Sequence, residues 1–130
     1  LTYLLTKKSK LMKKLFTLSI VAALVGCAEK PPLTPEQQWQ GYCKSVGNAA
    51  RTIMLDRQNS IEKQAAIEHA EKLEDPTTKK FILEIIEEVY QLSSDQVNDN
   101  PSEKREKIRA KVTERCQSTP IDEIPEYKPF

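Results

Sequence analysis

Three cysteines and one histidine are the residues of this 130-residue chain best equipped to react. A thiol can act as a nucleophile, a metal ligand, an acylation point or half of a disulfide, and its surroundings decide which. Nucleophilic use needs a base within hydrogen-bond reach, and His69 is the single imidazole on offer. His69 lies among Glu68, Glu71 and Lys72, the setting of a solvated helix residue. A zinc site needs four Cys or His ligands at short spacing, and neither a His pair nor a Cys-x-x-Cys is present near Cys43 or Cys116. Carboxylates cluster at Glu87 and Glu88, and at Glu71, Glu74 and Asp75, where helix solvation and side-chain pairing are the ordinary reading. With three glycines the chain has no Gly-rich phosphate loop. The expectation is no catalytic residue, no metal, no cofactor and no small-molecule substrate.

Cys27 stands apart from the other two by what precedes it. Lys13 and Lys14 are followed by an apolar run from Leu15 to Val25, broken only by Thr17 and Ser19. That run is about 11 residues, against roughly 20 for a permanent bilayer span, and it has the layout of an export signal. Leu24, Val25, Gly26 and Cys27 then resemble, position by position, the lipobox of bacterial lipoproteins. The resemblance implies cleavage before Cys27, diacylation of its thiol and acylation of the new amine. Several acyl chains on one residue give stable anchoring. In this class an Asp after the Cys commonly retains the protein in the inner membrane. Ala28 stands there, which favours the outer membrane of a Gram-negative envelope, on its periplasmic face. The alternatives are a soluble-export signal with an incidental Cys, or a short uncleaved anchor. Met12 opens a compact signal, so residues 1–11 read as an over-extended start.

The expected organisation is a signal peptide over 1–26, a lipidated tether over 27–34, a helical domain over 35–117 and a Pro-rich extended tail over 118–130. The chain carries 20 Lys and Arg against 19 Asp and Glu. All five charges before Cys27 are lysines, which leaves 15 against 19, a formal −4. A mildly acidic domain of this kind argues against nucleic acid as a partner. In an oxidising compartment the two remaining thiols, Cys43 and Cys116, are expected to pair as a disulfide. The alternative is two free or metal-bound thiols.

The elements that must position these residues read as helices throughout. Thr34-Pro35-Glu36-Gln37 has the cap, the proline and the third-position glutamine of a helix start. Trp39, Tyr42, Cys43, Val46, Ala50, Ile53, Met54 and Arg57 follow at spacings of three and four. Gly47 weakens this helix but permits a close neighbour. Asn59 or Ser60 is expected to cap a second helix running to about Glu74, with Ile61, Ala65, Ala66, Ile67, Ala70 and Leu73 as its apolar positions. Asp75-Pro76 starts a third, whose stripe of Phe81, Ile82, Ile85, Ile86, Val89, Tyr90 and Leu92 should centre the core, while Glu84, Glu87 and Glu88 face water. The stretch 93–98 reads as a polar turn. Asn100-Pro101-Ser102-Glu103 repeats the cap and capping-box pattern before a fourth helix carrying Ile108, Val112 and Cys116. The tail, with Pro120, Pro125 and Pro129, is neither helix nor central strand. Its Ile121, Ile124, Tyr127 and Phe130 fit packing along the domain, with a partner-binding peptide as the alternative. The prediction is a small all-α bundle of about four helices, with one disulfide joining the first and last.

One further pattern, Cys43-x6-Ala50-x3-Met54-x2-Arg57-Gln58, resembles a group of small exported proteobacterial and prophage proteins with no assigned function. Glu88-Val89-Tyr90 resembles their central segment and Cys116 their second Cys, although Asn59 stands where a Gly is common. The resemblance supports the fold and the disulfide and implies no activity. Arg57 and Gln58 fit a cap on the last carbonyls of the first helix, with a surface recognition pair as the alternative. Three functions remain in view. The first is a membrane-anchored, non-enzymatic module that binds an envelope protein, with Arg57, Gln58, Tyr127 and Phe130 as possible contacts. The second is a periplasmic acid-stress chaperone, an architectural analogy only. The third is a phage-exclusion or hydrolase-inhibitor lipoprotein.

Overall fold

Three of the five described helices begin where a side chain satisfies backbone N–H groups that a first turn leaves open. In the computed structural model, which describes residues 30–129, Thr34 and Gln37 exchange side-chain-to-backbone bonds of 3.0 and 3.1 Å and open α1, Pro35–Gln58. Asn59 closes α1. Ser60 then turns left-handed at φ 64°, and the Ile61 N–H reaches back to the Asp56 carbonyl at 2.9 Å. This is a C-terminal closure that usually takes glycine at the left-handed position. Asn59 and Ser60 therefore end the first helix instead of capping the second. The second helix, α2, is shorter than expected, Lys63–Glu71, and Glu62 at its start makes no side-chain cap.

Asp75 Oδ2 accepts from the Thr78 N–H at 3.0 Å and starts α3, Pro76–Gln91. The stretch expected as a turn contains α4, Ser94–Asn98, started by a Ser93–Gln96 capping box. The last helix, α5, is Pro101–Gln117. Its start departs from the capping box expected there. Asn100 sits left-handed at φ 50°, and its amide donates to the Glu103 carboxylate at 2.6 Å without capping the backbone. The tail holds one 3₁₀ turn, Ile121–Glu123. The fold is all-α, with five helices where about four were expected, and no strand occurs among the described residues. No helix among them is long and apolar enough to cross a membrane.

Cross-links fix how the helices run. Cys43 and Cys116 form a disulfide with their Cα atoms 5.4 Å apart, and Arg51 pairs with Glu106 at 2.7 Å. The pairing 43 to 116 and 51 to 106 makes α1 and α5 antiparallel. Tyr42 meets Thr78, and Arg57 meets Val89 and Leu92, so α1 and α3 run parallel. That direction requires a return element, and α2 is it, held on α3 by Lys63–Glu87 at 2.8 Å. Trp39, Val46, Met54, Ile85, Ile86, Val89 and Val112 fill the space between the three long helices. Val97, from the short α4, is also buried, where α4 packs against α1 and α5.

Gly47 sets the closeness of α1 to α5. A Cβ there would lie 1.9 Å from Thr113 Oγ1 and 2.9 Å from the Arg109 carbonyl oxygen. The threonine can rotate, but the carbonyl belongs to the backbone of α5, which the disulfide holds against α1 about two turns further on. Gly41, on the same helix, has nothing within 4 Å of the equivalent point. Gly47→Ala should therefore destabilise by about 1–3 kcal/mol through overpacking, while Gly41→Ala gains up to about 1 kcal/mol of helix propensity. Urea unfolding midpoints check both. Equal shifts in the same direction would show that the helices do not meet at Gly47.

Candidate functional site

The tail is seated by an aromatic cluster. Tyr127 lies 5.1 Å from the Trp39 ring and 4.4 Å from the Tyr42 ring, centroid to centroid. The Trp39 indole N–H donates to the Cys116 carbonyl at 3.1 Å, so the cluster rests on the disulfide-bonded turn of α5. Around the cluster the polar groups form a relay. Asp75 holds its proton less tightly than an ordinary aspartate, first because the Thr78 hydroxyl donates to it, at 2.7 Å. An ionised carboxylate only accepts, so Thr78 spends its single proton on Asp75. Tyr42, 2.7 Å from the same hydroxyl, is then its donor. Burial raises the Tyr42 phenol above its usual value, which keeps that proton in place. The Lys128 N–H also reaches the Asp75 carboxylate, and Thr77 donates to the Glu126 carbonyl. The tail thus packs along the ends of α1 and α3, with Tyr127 half-buried.

Beside the seated tail runs an open groove of 1180 Å³, lined among others by Thr34, Pro76, Ile124, Pro125, Tyr127 and Pro129. It lies at the end of the bundle where α1 and α3 begin. Ile121 stands at its edge with 65 % of its surface exposed.

Arg57 and Gln58 do not cap their own helix. The Arg57 guanidinium donates to the carbonyls of Val89 and Leu92, at the end of α3, and lies 5.7 Å over the Tyr90 ring. The Gln58 amide donates to the carbonyls of Val97 and Pro101 at 2.9 and 3.0 Å, and its oxygen accepts from Arg105 at 2.8 Å. The geometry follows from where α1 stops. Its last turn faces the α3–α4–α5 connection, whose exposed helix-end carbonyls need donors. Both side chains are spent inside the domain as clasps.

Acidic groups tie α5 to its neighbours. Glu88, expected to face water, is 23 % exposed and bridges Lys111 and Arg115. Burial disfavours its charge, but hydrogen bonds from Lys111 and Arg115 outweigh that and hold its carboxyl below the usual range. Glu106 is held low chiefly by the Arg51 hydrogen bond, with Arg109 adding to it. His69 is exposed on α2. Among the described residues no group of three or more His, Cys, Asp or Glu is arranged to hold a metal ion. Cys27 and Phe130 lie outside the described residues. The chain matches no protein-family model, no curated protein and no solved structure.

The clasp has a measurable weight. Arg57→Ala removes the donor from two helix-end carbonyls and should lower stability by about 1.5–3 kcal/mol, the range for hydrogen bonds made by a charged group. Arg57→Lys should recover only part, since an ammonium cannot fork across both oxygens. A urea midpoint unchanged in both variants would show that Arg57 holds nothing together.

Proposed function

We propose that this protein is a lipid-tethered envelope protein whose helical domain is a protein-interaction module. Cys27 carries the lipid and, with Ala28 after it, directs the protein to the outer membrane on its periplasmic side. The domain is not an enzyme in this reading. The single structural observation behind it is the groove at the α1–α3 end. Its apolar wall of Ile124, Pro125 and Tyr127 rests on a pinned aromatic base. A surface already ordered before binding loses little entropy when a partner docks.

Two measurements on native protein from membranes test this. Intact mass should show acyl chains on Cys27, and an unacylated product removes the tether. Cross-linked envelopes should yield a partner protein that is retained by the wild type and lost by Pro125→Arg, a change at an exposed position. Failure to find such a partner, or equal capture by Pro125→Arg, removes the groove from the reading.

A second reading, an acid-stress chaperone, is favoured by one observation. Glu88 ties α3 to α5, Glu106 ties α1 to α5, and both carboxyls are held below their ordinary value of 4.5. A depressed acid contributes stability that is complete above its unfolded pKa and is lost as pH falls through the folded one. The urea midpoint should therefore hold near neutrality and drop below about pH 4.5, with the disulfide keeping α1 beside α5. Suppression of client aggregation in that acid range supports the reading. Aggregation unaffected by the protein disposes of it.

A further inference from the structure

A cleft at the opposite end of the bundle has a complement on the same chain. It lies between α1, α3, α4 and α5, has a volume of 150 Å³, and is floored by Met54, Leu92 and Ile108. Its rim carries Lys104, Lys107 and Lys111, three residues on one face of α5. Lys111 pairs with Glu88, whereas Lys104 and Lys107 enter none of the ion pairs among the described residues. This basic rim sits on a domain whose formal charge after Cys27 is −4. The volume is about five times a water molecule's share of liquid. That is room for one branched aliphatic side chain and far below the roughly 300 Å³ at which small-molecule pockets begin. The floor is held before anything binds, because Arg57 grips the Leu92 carbonyl and the Met54 thioether adapts to what enters.

The fitting knob is Ile121. It projects from the 3₁₀ turn of the tail, 65 % exposed, with Asp122 and Glu123 exposed beside it. It stands level with Thr34 at the start of α1, while the cleft stands level with Met54. Twenty helical residues separate those levels by about 30 Å. A molecule cannot place its own knob in its own cleft, but a second copy can.

We propose that copies of this protein associate head to tail, Ile121 of one entering the Met54–Leu92–Ile108 cleft of the next, with Asp122 and Glu123 facing Lys104 and Lys107. Each copy keeps one free knob and one free cleft, so the contact propagates and does not close as a two-fold dimer. One apolar knob and a few exposed ion pairs make a weak, salt-sensitive contact. Confinement to a membrane would raise the effective concentration that such a contact needs. The knob stands at the edge of the groove, so a groove-bound partner and a second copy would compete for it, whereas the cleft is separate from the groove and the contact does not require the tether.

Zero-length carbodiimide coupling of the full-length protein tests it. Equal amounts of ¹⁴N- and ¹⁵N-labelled protein are mixed, so a mixed-isotope peptide reports a link between molecules. The expected links join Lys104 or Lys107 of one copy to Asp122 or Glu123 of another. They should fall about tenfold or more in Ile121→Ser, the loss expected for one buried aliphatic side chain, and fall again at about 0.5 M salt. When Ile121→Ser is mixed with a Lys104→Glu, Lys107→Glu variant, links should return from the acids of the second to the lysines of the first, although neither variant links with itself. All three positions are on the surface, and a circular dichroism melt checks that each variant folds. Absence of mixed-isotope links, links untouched by Ile121→Ser, or links that fail to return in the variant mixture would overturn the proposal. So would links made only to an added acidic peptide with a central leucine, which would give the cleft to a foreign partner.

Discussion

Everything in this domain is hung on the contact between α1 and α5. The Cys43–Cys116 disulfide spans 73 residues of sequence, and closing a loop of that length stabilises by about 4 kcal/mol on the chain-entropy account. A domain of this size has a total stability of roughly 5–15 kcal/mol, so this one bond is a large share of it. Its effect is also geometric. It brings the helices so close that the next turn of α1 has no room for a Cβ, and Gly47 stands there. The Trp39 indole N–H is spent on the carbonyl of the bonded Cys116, which sets the aromatic cluster over the same turn.

With α5 fixed, α1 becomes the member to which α3 must conform. Two polar clasps hold α3 in parallel register, Tyr42 with Thr78 at the start and Arg57 with the Val89 and Leu92 carbonyls at the end. They sit 15 residues apart on α1, about 22 Å, so tilt and slip are both constrained. Between them lies an aliphatic stripe, Ile82, Ile85, Ile86 and Val89, that supplies cohesion but little direction. A parallel pair of helices joined by a short return would otherwise tolerate a shift of one turn. The clasps make one register better than its neighbours because a shift of one turn would take the Tyr42 and Arg57 donors away from their acceptors.

This division explains what could be read along the chain. Caps at Thr34 and Asp75 are local, since a side-chain oxygen reaches an N–H three residues on, and both occur as the sequence implies. The apolar stripes of α1 and α3 are local in the same sense, and the two lone thiols of the helical region had only each other to pair with. The short α4 has one apolar residue, Val97, and no periodicity to betray it. Asn100 has the residue types of a capping box, but a left-handed backbone turns its amide from the helix to Glu103. Arg57 and Gln58 stood out as a pair, yet their acceptors lie 32 to 43 residues away, and no spacing rule reaches that far. Glu87 and Glu88 are adjacent in sequence. One step of about 100° around the helix sends the first to α2 and the second between Lys111 and Arg115 of α5. The groove and the basic cleft both depend on where separate helices end in space, so neither had a sequence signal of its own.

The placement of charge follows from the same scaffold. On α5 the side facing α1 must be small or apolar, because the disulfide and Gly47 leave no space for more. Its basic residues are displaced to the flanks. There Glu106 pairs with Arg51 and Arg109 and Glu88 with Lys111 and Arg115, while Lys104 and Lys107, at the end nearest α4, enter none of the ion pairs among the described residues. The tail, by contrast, leaves α5 at the other end and carries Asp122, Glu123 and Glu126 outward from Pro120 onward. Lys104 and Lys107 and the exposed acids of the tail therefore stand at opposite ends of α5, offset in part by Asp95, Asp99 and Glu103 near the first and by Lys128 near the second. The separation follows from the length of α5, since the two lysines lie in its first turns and the tail departs after its last.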